Sequence, residues 1–247
     1  MAKFWSVVNH VIHDADILLL LLDARMVEKT RNLEIEEKVS ALNKPLIYVV
    51  TKSDLVEKSF AEKYKKTLKP CVFVSAKNKL GTTKLREKII IEGKRVGLDG
   101  KLKIGVLGYP NVGKSSLINA MKGRASASVS MFSGHTKGVQ KIKADNRITL
   151  LDTPGVIPYR EDDKMKHASI GTKSFNKVNN PDLVIMELMK EFPGKIEKCY
   201  DVEVIEDKEK TLEKITLKKN LLMKGGVLDT VRMARMILKE WQTGGLD

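Results

Sequence analysis

Cysteine is nearly absent from this 247-residue chain, and its two copies, Cys71 and Cys199, lie far apart. That spacing fits neither a metal-ligand set nor a disulfide framework, so both read as ordinary core or surface thiols. No disulfide partner is expected, and the compartment is expected to be the reducing cytoplasm. Long apolar runs are missing too. The longest, Ile17 to Leu22 in DADILLLLLDAR, is far short of the ~18 residues a membrane span needs and is bracketed by Asp16 and Asp23. It predicts a buried strand. The N-terminus lacks the charged-then-apolar build of a secretion signal. No basic amphipathic helix carries aromatic anchors, which argues against a membrane surface as partner.

Acidic residues are what the first part of the chain lacks. Lys and Arg number 45 against 31 Asp and Glu, a formal charge of +14; residues 1–156 carry +13 of it and residues 157–247 only +1. A polyanion such as RNA is therefore expected to meet the first part. A Lys-rich solvated surface, as in proteins of high-temperature organisms, is the other reading of the same numbers.

An apolar content of 42% is enough to bury a core, in one large domain or in a domain of about 150 residues with a smaller companion. Runs of Val, Ile and Leu recur at ILLLLLD (17–23), PLIYVVT (45–51), CVFVSA (71–76), KIGVLG (103–108) and RITLLD (147–152). Stretches such as RNLEIEEKVSAL and TTKLREKIIIE lie between them with helical spacing. The alternation predicts a mostly parallel sheet covered on both faces, with functional loops at the carboxyl ends of its strands. EGKRVGLDGKLK (92–103) reads as a linker. After about residue 160 the chain is charged with both signs and weak in strand signals. Residues 1–159 and 160–247 are therefore expected as two domains, the second smaller and mainly helical. Its last helix is expected over Leu228, Val231, Met233, Ala234, Ile237, Leu238 and Trp241, opened by Gly225-Gly226 and closed by Gly244-Gly245.

Three elements describe a phosphate site. Residues 108–115, GYPNVGKS, fit G-x-x-x-x-G-K-[ST] between a strand and a helix. In that pattern backbone N–H groups turn onto the phosphates, Lys114 reaches the β/γ oxygens, and the Ser115 hydroxyl ligates Mg²⁺. LLDTPG (150–155) puts Asp152 at a strand tip, where it can hold Mg²⁺ through a water, and Gly155 where its N–H can meet the γ-phosphate. FSGHTKG supplies Thr136 for Mg²⁺ and the attacking water, with Thr149 and Thr153 as competitors. The base is addressed earlier. VVTKSD ends in Lys52 and Asp54 and resembles the N-K-x-D motif of GTPases, whose carboxylate accepts two hydrogen bonds from guanine that adenine cannot donate. VSAKN (74–78) matches the S-A-K loop whose backbone, at Ala76, touches guanine O6.

All five GTPase motifs are thus present, but with the base-reading pair before the phosphate loop. The chain resembles a circularly permuted GTPase, and LLDARMVEKTRN adds Asp23, Ala24, Arg25, Arg31 and Asn32 of the D-A-R-x-P…R-N pattern common there, with Val27 at the proline position. The tail GGVLDTVRMARMILKEWQTGGL is similar to the end of the YlqF/YawG group, which includes nucleostemin-like proteins. The resemblance implies a permuted P-loop α/β fold with a six-stranded, mostly parallel sheet. It also implies GTP and GDP as ligands with Mg²⁺, and the large ribosomal subunit or its rRNA as partner. The nucleotide-binding set is then Thr51, Lys52, Asp54, Ser75, Ala76, Lys77, Asn111, Val112, Gly113, Lys114, Ser115, Ser116, Asp152 and Gly155. Lys114, Thr136 and Gly155 act in catalysis, and Ser115, Thr136 and Asp152 hold Mg²⁺. An Asn at the position of Asn111 coordinates K⁺ in some GTPases, which implies K⁺ stimulation.

Two departures matter. Val156 stands where Ras-type proteins carry the Gln that orients water, so slow intrinsic hydrolysis is expected unless another group, with His10, His13 and His135 as candidates, takes that role. Thr51 replaces the Asn that ties base to phosphate loop, so weaker nucleotide affinity is expected. The rival readings are a nucleotide-dependent binding module with little turnover and an ATP-using enzyme acting on a small molecule.

Overall fold

Strand β1 (Ile17–Asp23) has every residue buried, as a run of five leucines after an isoleucine demands of a strand covered on both sides. The structure, a computed structural model, describes residues 2–122, 139–158, 161 and 163–246. It divides into two compact units, Met1–Asp162 and Asp163–Asp247.

In the first unit α1 (Ala2–Asp14) precedes β1, and α2 (Val27–Thr30) and α3 (Leu33–Ala41) follow it. Next come β2 (Leu46–Thr51), α4 (Lys58–Thr67), β3 (Cys71–Phe73) and α5 (Thr82–Arg95). Then follow β4 (Leu102–Gly108), α6 (Lys114–Lys122), β5 (Gln140–Lys143) and β6 (Ile148–Asp152). The sheet is six-stranded in the order β3-β2-β1-β4-β6-β5, parallel except for β5, which runs antiparallel to β6. One face packs Trp5, Val8, Val11 and Ile12 of α1 with Ile35 and Val39 of α3 and Tyr64 of α4 onto Leu18, Leu20 and Leu22. Leu85, Ile89, Leu117, Ile118 and Met121 are buried on α5 and α6. Each fully buried leucine adds on the order of 2 kcal/mol. Burial pushes the Cys71 thiol up to about 11, in keeping with an inert core thiol.

The linker is shorter than 92–103. Helix α5 runs on to Arg95, because Glu92 pairs with Lys88 (3.0 Å) and Arg95 (2.9 Å) along its side and Gly93 lets Leu102 pack closely. Only residues 96–101 connect it to β4. Strand β5 carries no apolar run: in QKIK only Ile142 is buried, as an edge strand permits.

The second unit is helical: α7 (Lys164–Ser169), α8 (Pro181–Glu191), α9 (Lys195–Cys199), α10 (Lys208–Lys218) and α11 (Thr230–Thr243). Its core joins Ile185, Leu188 and Met189 of α8 to Ile215 of α10 and to Met233, Ile237, Leu238 and Trp241 of α11. The Trp241 indole donates to the Ser169 carbonyl at 2.9 Å. Helix α11 starts later than its apolar spacing suggests, capped by the Asp229 side chain. Gly225-Gly226 instead turn a short hairpin in which Leu222 bridges Leu228, leaving Leu228 outside the helix and Val231 exposed. Gly244, left-handed at φ 74°, closes α11. No helix among the described residues is long and apolar enough to cross a membrane.

Candidate functional site

Strands β1, β2, β4 and β6 are parallel, so their carboxyl ends meet on one side of the sheet. The register sets Asp23 beside Thr51, Leu21 beside Gly108, and Val106 beside Asp152. The loops after these strands are therefore neighbours, although about a hundred residues separate T-K-S-D from D-T-P-G.

Gly108 ends β4 at φ 143°, and a Cβ there would lie 2.8 Å from the Leu21 carbonyl, so no side chain fits. Asn111 (φ 61°) and Gly113 (φ 103°) then turn the chain into the N-terminus of α6. Val112 is buried, whereas Asn111, Gly113, Ser115 and Ser116 are partly exposed. The buried Lys114 ammonium donates to the carbonyls of Tyr109 (2.6 Å) and Gly108 (3.0 Å). Burial lowers its pKa to about 8, opposed by the negative charge of Asp152. A polyphosphate arriving at this ammonium would draw the pKa back up. Nucleotide binding is thus expected to take up protons at pH 9, where the free lysine is largely neutral. Calorimetry in buffers of different ionisation enthalpy measures this, and equal heats at pH 9 would refute it.

Asp152 is buried at the tip of β6. Thr153 turns inward and donates to the Val106 carbonyl at 2.7 Å, and Thr149 sits within β6 opposite Lys103, so neither faces the site. Thr136 and His135 lie outside the described residues. Gly155 passes so close to Pro110 that a Cβ would come within 2.5 Å of its backbone. Val156 is buried, its N–H donating to the Gly108 carbonyl at 3.2 Å. The segment beyond is held at two points. Trp5 donates its indole N–H to the Ile157 carbonyl (3.2 Å), and the Tyr109 hydroxyl donates to Glu161 (2.7 Å). Burial and that carboxylate raise the Tyr109 pKa. His10 and His13 are exposed on α1. His13 precedes β1, and His10 is close enough to Asp14 to help lower its pKa. Both stand at the end of the sheet opposite the site, so neither can orient water there.

On the base-reading side, the Thr51 hydroxyl lies 2.6 Å from the Val112 carbonyl and 2.9 Å from that of Leu22. The tie between the two halves is thus kept by a hydroxyl in place of an amide. Lys52 is left-handed (φ 54°) and opens a short 3₁₀ turn that presents Asp54 exposed. Ser75 is buried and its hydroxyl accepts from the Asn78 N–H at 3.1 Å, shaping the loop of Ala76 and Lys77. Beneath both loops lies a buried charge cluster. Asp23 accepts from Arg25 Nε (3.0 Å) and Nη2 (2.7 Å) and from Lys52 Nζ (2.8 Å). Desolvation would raise the Asp23 pKa, but Lys52 and Arg25 outweigh it and hold the carboxyl below the usual carboxylate range. Desolvation lowers the Lys52 pKa, with Asp23 opposing. The D-A-R motif marked Asp23 and Arg25 in the sequence but gave no role. The tethering of Lys52 was not legible there, and neither were the contacts of Tyr109 and Pro110.

A Gly-rich cradle with a buried lysine, a strand-tip aspartate and an exposed carboxylate after the adjacent strand define a P-loop GTPase domain with its halves permuted. A family profile described as "50S ribosome-binding GTPase" matches residues 103–223. The chain is 44% identical over 247 residues to an uncharacterized GTP-binding protein of Methanocaldococcus jannaschii, covering 98% of this chain and 65% of that one. It is 31% identical to nucleolar GTP-binding protein 2 of Neurospora crassa, covering 98% of this chain and 40% of that one. The chain thus spans less than two thirds of the length of these relatives. In fold it matches GNP-bound YlqF from T. maritima with a TM-score of 0.65 at 20% identity, covering 98% and 94% of the two chains. The chain is thus similar to GTP-binding proteins along nearly its whole length and shares the fold of YlqF, with its nucleotide-binding motifs in permuted order.

Proposed function

We propose that this protein binds and hydrolyses GTP as a nucleotide-dependent switch in assembly of the large ribosomal subunit, acting in the cytoplasm. The observation that carries this reading is the 2.6 Å contact between Thr51 and Val112, residues 61 apart, which makes one pocket of two motif groups in inverted order. Asp54 accepts from the guanine ring, the Lys52 stem lies along it, and the Ser75–Lys77 loop meets O6 through Ala76. Asn111–Ser116 surround the phosphates.

Ser115 and Asp152 are oxygen donors at adjacent element ends, and the charge of Asp152 reaches Lys114 beside Ser115, so this set suits Mg²⁺. When bound, the ion neutralises phosphate charge. Lys114, held in a dry cradle, neutralises the β/γ oxygens as charge moves during transfer. The Gly155 N–H donates to the γ-phosphate and the Thr136 hydroxyl completes that side. Val156 has no side-chain hydrogen-bonding group, so water goes unpositioned until a partner, and K⁺ beside Asn111, supplies the missing charge. Loss of the γ-phosphate contact frees Gly155, and the segment held by Trp5 and Tyr109 carries that change toward residues 160–247, the C-terminal domain.

Phosphate release by the intact protein is expected to be slow alone, faster with large ribosomal subunits, and faster in K⁺ than in Na⁺ at equal ionic strength. GTP should outcompete ATP for the site. No turnover with subunits would leave a binding module, and equal competition by ATP would overturn the base assignment.

A further inference from the structure

Positive charge in the base-reading half is carried largely by α4 and α5, and α5 offsets its five basic residues with Glu87 and Glu92, the latter paired with Lys88 and Arg95. Helix α4 and the turn after it hold Lys58, Lys63, Lys65, Lys66 and Lys69 against a single acid, Glu62, which pairs with Lys65. Lys58, Lys63, Lys66 and Lys69 are exposed, and their ammonium groups make no ion pair or hydrogen bond among the described residues. The 3.6-residue repeat turns Lys58, Lys63 and Lys66 away from Tyr64, the residue that anchors α4 to the sheet. Phe60, partly exposed on the flank, meets Tyr64 edge-on at 5.3 Å and offers an apolar plate beside the lysines.

A general lysine coat would look different. Helix α3 packs on the same sheet face and carries Glu34, Glu36 and Glu37 against Lys38, which is itself paired with Glu34. The lysines of α4 are thus less offset by acids than the charges of α3, and although Phe60 stands exposed beside them, four such point charges suit the phosphates of a nucleic acid better than a lipid interior. Helix α4 also has a defined neighbourhood. The chain enters it from the Thr51–Asp54 loop, which places Lys58 nearest the base-reading loops, and runs back to the start of β3, which places Lys66 and Lys69 toward the other end of the sheet.

We propose that the outer face of α4, through Lys58, Lys63, Lys66 and Lys69, is a docking surface for the phosphate backbone of RNA. The inference rests on the reading of ribosomal RNA as partner. The lysines fix position and carry no sequence information. Lys58 is the member nearest the base-reading loops, and any effect of RNA on guanine-nucleotide affinity must be returned by the same factor.

The test compares the full chain with K58Q/K63Q/K66Q/K69Q and with a control, K84Q/K94Q/K101Q/K143Q, which removes equal charge elsewhere on the first unit. The probes are a transcript of large-subunit rRNA and vesicles containing phosphatidylserine. For the transcript, the α4 set should bind about 10- to 100-fold more weakly near 50 mM salt, with a salt slope flatter by about 3 to 4. The control should move by less than one, and the four Lys→Arg changes should restore binding. Equal losses in both sets, unchanged affinity in the α4 set, or a loss confined to the vesicles would overturn the proposal. If the unaltered protein fails to bind the transcript, the RNA reading falls first and the surface with it. If it binds and the α4 set binds as well, only the surface is wrong.

Discussion

Replacing Asp23 by alanine is expected to destabilise the protein by about 3 to 5 kcal/mol and to weaken GTP binding as well. The carboxylate is almost wholly buried and receives three side-chain N–H bonds, two from a guanidinium that is itself buried. Without it, the buried Arg25 and Lys52 lose the carboxylate that they share, and Lys52 loses its contact beneath the left-handed turn. Denaturant melts of Asp23→Ala, Arg25→Met and the double variant separate the causes. The double variant should lose much less than the sum, since removing both partners spares the buried charge. The sign with pH follows from the lowered native pKa. The acid's contribution is fully present above its unfolded value, near 3.8, and is lost as pH falls further toward the native value. Wild type and Asp23→Ala should therefore differ by a constant amount down to pH 4 and converge below it. Additive single effects, or a gap that closes already near pH 6, would show that the cluster is not an ion pair of this kind.

The second large effect falls on selectivity. Asp54→Asn is expected to cut the preference for GTP over ATP by roughly 10²- to 10⁴-fold, because a carboxylate that accepts two guanine donors is replaced by an amide that matches them at one atom only. Asp54 is exposed and outside the core, so melting should hardly change. Xanthosine triphosphate carries a carbonyl where guanine carries its amine, and it should gain affinity from the new amide donor. Dissociation constants for the three nucleotides decide the matter. An unchanged ratio of GTP to ATP affinity would remove the base-reading role of the T-K-S-D loop.

Much of the architecture could be read from residues alone because its causes are local. A strand buried on both faces must be apolar throughout, so ILLLLLD announced the strand that lies between β2 and β4. The order of the motifs likewise announced the permutation. What stayed hidden depends on contacts distant in sequence or on weak periodicity. QKIK shows one buried residue and no run, so β5 was invisible. Helix α5 outran its expected end because Glu92 is neutralised along the helix, a pairing that composition cannot distinguish from a charged linker. Within the site, the residue types were legible but not their ties. Nothing in the string reveals that Thr51 reaches Val112, that Gly155 must be small to pass Pro110, or that His13 lies at the wrong end of the sheet.

The position of β1 bears on how the chain reaches this arrangement during synthesis. It is made before the other strands of this sheet, yet its register with β4, Leu19 against Val106, is satisfied only by residues emerging nearly ninety positions later. Until then a row of leucines has one bare backbone edge, a shape prone to self-association. Cut in the 96–101 connection, the leading piece should clump when made alone and become tractable when the trailing piece is co-expressed.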